Sequence, residues 1–212
     1  MAAEDLEFAE GKFRVRGAPD KAKTIPELAF SAWTAHNLPP EMEPGLEAMH
    51  VYDPPNFTFP SGTHACAIEV DTETGETEIL KYVAVDDCGT QINPTIVEGQ
   101  IHGGSAQGIA EAMYEEAIYD ESGNLVTSSM HSYRIPSAAE LPPFVTDRTV
   151  TPSSTNPMGV KGVGEAAQIA APPAVVNAVV DALLPIGVTH IDMPVTPERV
   201  WRAIQEAKGG RA

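Results

Sequence analysis

The sequence is poor in cysteine. Cys66 and Cys88 are the only two, they lie far apart, and no C-x-x-C spacing occurs. A disulfide framework needs several cysteines, and a structural zinc site normally uses closely spaced pairs of ligands. We therefore expect neither kind of stabilisation and interpret both residues as buried free thiols.

Basic residues are also scarce. Thirteen Lys and Arg stand against thirty Asp and Glu, which gives a formal net charge of -17. Nucleic acids and anionic membrane surfaces would be repelled by such a chain, so neither is expected as a partner. We interpret the acidity as a solvated surface, with adaptation to high salt as the alternative.

No apolar run is expected to be long enough to cross a bilayer, and the acidic residues 1–5 do not resemble a signal peptide. We expect a cytoplasmic protein without a membrane span. The 212 residues, 42% of them hydrophobic, suffice for one sizeable core or two modest ones. No internal repeat is visible.

The first 62 residues are predicted to form a hairpin, a helix and an extended segment. Two short alternating runs flank the turn signal Glu10-Gly11. Thr24 can cap a helix that starts at Ile25, and this helix should end before Pro39-Pro40. Residues 38–62 are rich in proline and aromatic side chains, which favours an extended connection.

Residues 63–212 are predicted to form a second region of hairpins and helices. Strands over 63–70 and 77–85 should flank an acidic turn, and a second acidic tip should lie between 116–119 and 125–127. Neither tip has the spacing of an EF-hand loop, so we interpret their carboxylates as turn formers. The whole pattern predicts an α+β fold of antiparallel hairpins and sheets with packed helices.

A helix over residues 95–114 is unusual because four glycines fall within ten of its residues, and each glycine costs about 1 kcal/mol relative to alanine. Close packing against another helix and a bound cofactor explain them equally well. We expect Gln100 and Gln107 to lie on different sides, so that only one faces a given ligand. His102 has no second His or Cys at helical spacing and is interpreted as a packed or solvated histidine. The glycines are Gly99, Gly103, Gly104 and Gly108.

The remaining elements are predicted as follows. Residues 128–143 should be irregular and residues 144–150 should form a strand. Pro173 should start a helix, and residues 187–191 should be extended. A last helix should be capped by Thr196 with Pro197 in its first turn, and residues 208–212 should fray.

The glycine-rich turn at residues 159–167 presents one carboxylate, Glu165, where a loop becomes a helix. Its three glycines permit positive φ angles and close approach of the backbone to a ligand. The alternative is that Glu165 merely caps the helix. The turn also matches the dinucleotide pattern G-x-G-x-x-A, but no buried strand precedes it, Pro172-Pro173 should break the helix, and Glu165 would repel a pyrophosphate. Lys161 does not follow the glycine spacing of a Walker loop.

Two stretches together resemble a known family. They are residues 99–109, preceded by Asp87-Cys88-Gly89 and Ile92-Asn93-Pro94, and the motif Lys161-Gly162-Val163-Gly164-Glu165. In this order they resemble the C-terminal part of the molybdenum-binding large subunit of the xanthine dehydrogenase, aldehyde oxidase and aerobic carbon monoxide dehydrogenase family. The resemblance extends from about residue 6 to residue 205.

The resemblance implies roles for particular residues. Glu165 would be the general base, and Gln100, rather than Gln107, would contact the pterin beside molybdenum. Backbone around the cofactor would be supplied by Gly162, Val163 and Gly164 and by the helical glycines Gly99, Gly103 and Gly104. No metal ligand is expected from this chain. Residues 1–212 would then be a partial molybdopterin-binding domain, with 1–62 as its first segment and 63–212 as its cofactor-binding core.

The resemblance also implies a multi-subunit oxidoreductase that hydroxylates an aldehyde, carbon monoxide or an N-heterocycle. The cofactor would be molybdenum-molybdopterin, in the cytosine dinucleotide form, with iron-sulfur clusters and FAD on partner subunits. The family's earlier glycine-rich pterin motif and its substrate loop are not found in the 212 residues, so we expect an N-terminal large-subunit portion as a partner and no activity without it. The alternative is an inactive remnant that serves as a structural or interaction module.

Overall fold

A computed structural model describes residues 3–209. The chain forms two compact units, one ending at Asp53 and the other starting at Pro54. The predicted division after residue 62 into a first segment and a cofactor-binding core stays a prediction.

The first unit is a three-stranded antiparallel sheet followed by one helix. The hairpin predicted around Glu10-Gly11 is confirmed, and both turn residues have positive φ, 51° and 73°, as a tight two-residue turn requires. A third strand, which the sequence analysis did not predict, pairs with the second. The elements are β1 (Leu6–Ala9), β2 (Lys12–Val15), β3 (Ala18–Thr24) and α1 (Ile25–Thr34), with a short 3-10 turn at Ala3–Asp5.

The start of α1 is fixed by a capping box. Thr24 Oγ1 accepts a hydrogen bond from Glu27 N at 3.3 Å, and Thr24 N donates to Glu27 Oε2 at 2.8 Å. These bonds satisfy two of the backbone groups that a helix end leaves unpaired. The helix ends at Thr34 with Ala35 in the left-handed conformation, before the proline pair as predicted.

The second unit combines a three-stranded sheet with three helices, which confirms the predicted α+β class. Strands β4 and β5 form the predicted long antiparallel hairpin, whereas β6 pairs with β5 in parallel. The parallel pair was not predicted, because α2 and a long irregular segment separate its two strands. The elements are β4 (Ser61–Val70), β5 (Thr77–Asp87), α2 (Pro94–Met113), β6 (Phe144–Arg148), α3 (Ala166–Leu183) and α4 (Pro197–Gly209), with 3-10 turns at Ala138–Glu140 and Leu184–Ile186.

Both acidic tips are turns, as predicted. Asp71 Oδ1 accepts hydrogen bonds from the backbone of Glu73 at 2.7 Å and Thr74 at 3.3 Å. Asp120 does the same for two backbone groups of its own loop. The second hairpin is shorter than predicted, since its strands reduce to a single bridge between Tyr119 and Leu125.

Helices α2 and α3 pack closely because α2 presents glycine at the contact. A Cβ on Gly108 would lie 2.6 Å from Ala171 Cβ and 2.8 Å from the carbonyl oxygen of Gln168. A Cβ on Gly104 would lie 3.0 Å from Gln168 N. Helix packing therefore explains these two glycines. Gly99 and Gly103 need another reason, because a Cβ on either would meet no described atom within 4 Å.

Helix α3 corrects the expectation that Pro173 starts a helix and that the proline pair breaks one. The helix begins at Ala166 and runs through Pro172 and Pro173 to Leu183. A proline costs about 3 kcal/mol inside a helix, and here Pro172 is buried with its ring beside Gly108. Tertiary packing has overridden the local preference.

By length and composition, Ala166–Ile186 is apolar enough to cross a membrane, contrary to the expectation that no run approached that length. One such helix is weak evidence, because a core helix passes the same test. The face of this helix that carries Ala167, Ala171, Val175, Val179 and Leu183 is buried.

The prediction for the start of the last helix is confirmed. Thr196 Oγ1 accepts a bond from Arg199 N at 3.4 Å at the start of α4, with Pro197 as its first residue. Residues 187–191, which were expected to be extended, belong to no helix or strand. Of the residues predicted to fray, Lys208 and Gly209 are helical, and 210–212 lie outside the described residues.

We predict that Gly108→Ala lowers the free energy of unfolding by about 1–3 kcal/mol, because the added methyl group meets α3. Gly99→Ala is the matched control on the same helix. It should raise that free energy by up to about 1 kcal/mol, since it removes a glycine from an open helix surface. Urea unfolding of the full chain measures both, and equal effects of the two substitutions would contradict the packing account.

Candidate functional site

The loop after β5 anchors the glycine-rich turn. Gly89 forms an isolated antiparallel bridge with Val160. Thr90 N donates to Gly159 O at 3.0 Å, and Lys161 N donates to Cys88 O at 2.8 Å. Gly89 has a φ of 67°, and a Cβ there would overlap Gly159 O. Only a glycine allows the two segments to approach this closely.

The turn is also braced from its own N-terminal side. Asn156 Nδ2 donates to Val160 O at 2.9 Å, and its Oδ1 accepts from Val160 N at 3.1 Å. Gly159 has a φ of 68°, whereas Gly162 and Gly164 do not adopt positive φ. The expectation that the turn's glycines supply positive φ is therefore correct for one of the three. The other two leave the backbone uncovered.

Asp87 is a buried carboxylate behind the turn, with 2% of its surface exposed. Its Oδ1 accepts from Gly89 N at 2.8 Å and lies 3.2 Å from Lys161 Nζ. Its Oδ2 accepts from the Thr149 hydroxyl at 3.2 Å and from the Thr151 hydroxyl. Burial alone would raise the pKa of Asp87, but these hydrogen bonds, Thr151 first among them, and the ammonium group hold that pKa well below its usual value.

Glu165 stands at the N-cap position of α3 and is exposed. Its carbonyl accepts from Ile169 N at 3.0 Å, but its side chain makes no capping hydrogen bond. The alternative that Glu165 is only a capping residue is therefore wrong. Its carboxylate remains available to a ligand, beside the positive end of the α3 dipole.

The structure brings Gln100 to the same turn. Gln100 Oε1 lies 3.9 Å from the position of a Cβ on Gly164. Gln107 is also exposed, but the expectation that the two glutamines occupy different sides of α2 is wrong. Seven residues of an α-helix make almost two full turns, so Gln107 lies on nearly the same side, about 10 Å further along the axis.

Bare backbone surrounds this meeting point. A Cβ on Gly99, Gly103 or Gly162 would meet no described atom within 4 Å. Val163 lies between the turn's glycines, is half-buried and packs against the core. The open strip of backbone therefore carries one amide side chain, Gln100, and one carboxylate, Glu165. Among residues 3–209, no cluster of three His, Cys, Asp or Glu could hold a metal ion.

Asp87 and Lys161 belong to the sequence motifs, but the sequence predicted no role for them. Asn156 was not predicted as a site residue. The signal for Asp87 was a pair of acidic residues, Asp86-Asp87, at the end of an apolar strand, where water cannot solvate them. Asp86 is buried too and lies 3.1 Å from His64 Nε2. His64 Nδ1 in turn lies 2.7 Å from the Tyr82 hydroxyl.

The predictions for His102 and Cys88 are confirmed, and the prediction for Cys66 is correct only in part. His102 is a packed histidine, stacked on Phe144 with 5.6 Å between ring centroids. Cys88 is a buried free thiol as expected, while Cys66 is only partly buried. Burial raises the pKa of the Cys66 thiol to about 11, which makes it a poor nucleophile.

Comparison with protein families gives the class of the chain. Residues 1–142 match the model of the molybdopterin cofactor-binding domain. The match covers more than half of the chain, so the chain belongs to this family. The predicted relationship to the xanthine dehydrogenase and carbon monoxide dehydrogenase large subunits is thereby confirmed.

Individual relatives agree with this class. The chain is 47% identical over 202 residues to the carbon monoxide dehydrogenase large chain of Hydrogenophaga pseudoflava, covering 95% of this chain and 25% of that protein. It is 43% identical over 201 residues to the nicotine 6-hydroxylase large subunit of Paenarthrobacter nicotinovorans, covering 94% and 25%. The crystal structure of Cu,Mo-CO dehydrogenase in its carbon monoxide reduced state superposes with a TM-score of 0.89 at 43% identity, over 98% of this chain and 26% of that one. The chain thus spans about a quarter of the length of these relatives.

We predict that Asp87 makes the free energy of unfolding depend on pH in the acidic range. Because its folded-state pKa is depressed, its stabilising contribution is complete above pH 4, near the ordinary Asp pKa, and is lost as the pH falls below that value. Between pH 5 and pH 2.5, the stability advantage of the wild type over Asp87→Asn should shrink by about 2 kcal/mol in urea unfolding.

Asp181→Asn is the control for the substitution itself, since it removes an exposed carboxylate from α3. It should leave the free energy of unfolding at neutral pH close to that of the wild type. Parallel curves for wild type and Asp87→Asn would contradict the assignment of a depressed pKa to Asp87.

Proposed function

We propose that this chain supplies the Gln100 and Glu165 side of a molybdopterin site in a molybdenum hydroxylase. The observation that carries the proposal is the meeting of the two motifs, with Gln100 Oε1 3.9 Å from the Cβ position of Gly164, directly before Glu165. Family membership makes molybdopterin the ligand to test first at this place.

In this proposal the side chains and backbone of the site have separate tasks. The Gln100 amide, which can both donate and accept, hydrogen-bonds the pterin and orients it. The open backbone of the two motifs lets the ring approach without a side chain between them. The backbone positions are Gly99, Gly103, Gly162, Val163 and Gly164.

When bound, the molybdenum of the cofactor supplies a two-electron oxidation of the substrate carbon. Glu165 is the general base of this reaction. One of its carboxylate oxygens accepts the proton released when the carbon gains oxygen, and a base placed at a fixed turn contributes about 10²–10⁴-fold to such a step. Because the Glu165 side chain does not cap the helix, both of its carboxylate oxygens are available.

Exposed apolar side chains support a large partner. Phe57 and Phe59 are 83% and 76% exposed, and Ile96 and Ile169, near the starts of α2 and α3, are more than half exposed. The rings of Phe57 and Phe59 lie 6.5 Å apart, and adjacent exposed apolar side chains are typical of interaction surfaces. Because the chain spans a quarter of its relatives, we infer that a further large-subunit portion covers them.

Further features of the assembly follow from the relatives. Their names describe a large chain or large subunit, which implies smaller subunits beside it. We propose an iron-sulfur subunit and a flavin subunit, the cytosine dinucleotide form of the cofactor, and a cytoplasmic location. The substrate is a small molecule of the aldehyde, carbon monoxide or N-heterocycle kind.

The test is Glu165→Gln in the assembled enzyme. We expect kcat to fall at least 100-fold, because the amide cannot accept the proton, while molybdenum content stays at the wild-type level. Steady-state kinetics and elemental analysis of the same preparation measure both.

Asp181→Asn provides the matched control, since it also changes an α3 carboxylate to an amide, away from the site. It should retain wild-type kcat. Unchanged turnover in Glu165→Gln would overturn the proposed role of Glu165.

A further inference from the structure

An ion pair with little access to solvent joins the two motifs from behind. Lys161 Nζ lies 3.2 Å from Asp87 Oδ1, and the two side chains are only 14% and 3% exposed. A charged pair that is taken out of water contributes little net stability, because the loss of hydration offsets the attraction. Its presence behind the turn therefore calls for a reason other than stability.

Each partner belongs to a segment that leads directly to a proposed site residue. Asp87 ends β5, and the loop that follows it runs into the Asn93 cap and helix α2, which carries Gln100. Lys161 lies four residues before Glu165. The pair thus connects the segment that bears the pterin contact to the segment that bears the base.

Lys161 is fixed to the loop by its backbone as well as by its charge. Its N–H donates to Cys88 O at 2.8 Å, and its Cγ lies 3.4 Å from the Cβ position of Gly89. The side chain therefore passes over Gly89 to reach Asp87. A side chain at residue 89 would obstruct this path.

Asp87 also binds a third segment of the chain through hydrogen bonds. The hydroxyl groups of Thr149 and Thr151, in the stretch after β6, donate to its Oδ2. The carboxylate thus holds its own loop through Gly89 N, the stretch after β6 through two hydroxyls, and the turn through the ammonium group. Removing the ammonium group would break the tie between this carboxylate and the turn, and would leave the backbone bonds of the turn in place.

We propose that Asp87 and Lys161 are positioning residues that hold the turn in register with α2, so that the Glu165 carboxylate stands at a fixed place relative to Gln100. This inference rests on the proposed function of Glu165. The glycines give the turn its open backbone, and the ion pair adds to the backbone bonds at Cys88 and Gly159 that hold the turn in position.

The first readout is hydrogen exchange of backbone amides in the full chain without cofactor. Lys161→Met keeps the length of the side chain and removes its charge, and we expect exchange at residues 160–166 to quicken at least tenfold while β4 and α2 keep wild-type protection. Lys161→Arg should restore slow exchange, since it keeps the charge. Lys81→Met, on an exposed lysine of β5, is the control and should change nothing at the turn.

Lys161→Met leaves the charge of Asp87 buried without a partner, which can unfold the chain. The double variant Asp87→Asn with Lys161→Met removes both charges and should stay folded, because replacing a whole buried pair is often neutral. Fast exchange confined to residues 160–166 in the double variant supports the proposal. Unchanged exchange at the turn, or faster exchange spread over the entire second unit, overturns it.

The second readout is a kinetic cycle in the assembled enzyme. Lys161→Met should lower kcat about 10–100-fold at unchanged molybdenum content, as expected for a misplaced catalytic group, and Lys161→Arg should recover most of the loss. In a Glu165→Gln background, Lys161→Met should lower kcat no further, because both changes act through one group.

The kinetic cycle distinguishes the positioning role of Asp87 and Lys161 from the role of Glu165 as the base. Additive losses overturn the positioning role while leaving Glu165 as the base. Full activity of Glu165→Gln overturns the proposed function itself, whatever the exchange data show.

Discussion

Helices α2 and α3 meet through backbone, and the rest of the site depends on that contact. At Gly108 the helices approach so closely that a single methyl group would collide with Ala171, and at Gly104 a methyl group would lie in tight contact with Ala167, at 3.1 Å. Protein interiors are packed to crystal density, so such a contact leaves little freedom in how the two helices lie. It sets the N-terminal half of α2, with Gln100, beside the start of α3, with Glu165. The glycine content of α2 therefore serves packing at two positions and leaves open surface at two others.

Hydrogen bonds and an ion pair to one buried carboxylate hold the loops in place. Asp87 is the last residue of β5, and water has little access to its carboxylate, so the protein must supply its hydrogen-bond donors. The donors come from its own loop and from two segments more than 60 residues further along the chain, and satisfying one buried carboxylate draws these segments together. The exposed Glu165 follows Lys161 by four residues, and its side chain makes no capping bond. The buried carboxylate of Asp87 thus holds the loops together, whereas the exposed carboxylate of Glu165 is available to a ligand.

Local patterns predicted much of the fold, and contacts between distant residues account for what they missed. Thr24 and Thr196 cap helices where capping chemistry indicates, because caps depend on residues three apart. The parallel pairing of β6 with β5 and the passage of α3 through Pro172 depend on packing against elements far along the chain. For the site, motif resemblance named Gln100 and Glu165 as separate residues, and the structure places their segments side by side. The roles of Asp87, Lys161 and Asn156 depend on side-chain geometry that no spacing in the sequence encodes.

The central claim is that Gln100 and Glu165 face one cofactor. The most direct measurement is an experimental structure of this chain assembled with the remaining large-subunit portion and loaded with molybdopterin. The account predicts the Gln100 amide within hydrogen-bonding distance of the pterin and the Glu165 carboxylate directed at the molybdenum centre, with the backbone at Gly162 and Gly164 against the cofactor. A cofactor bound elsewhere, with Glu165 directed to solvent, would contradict it.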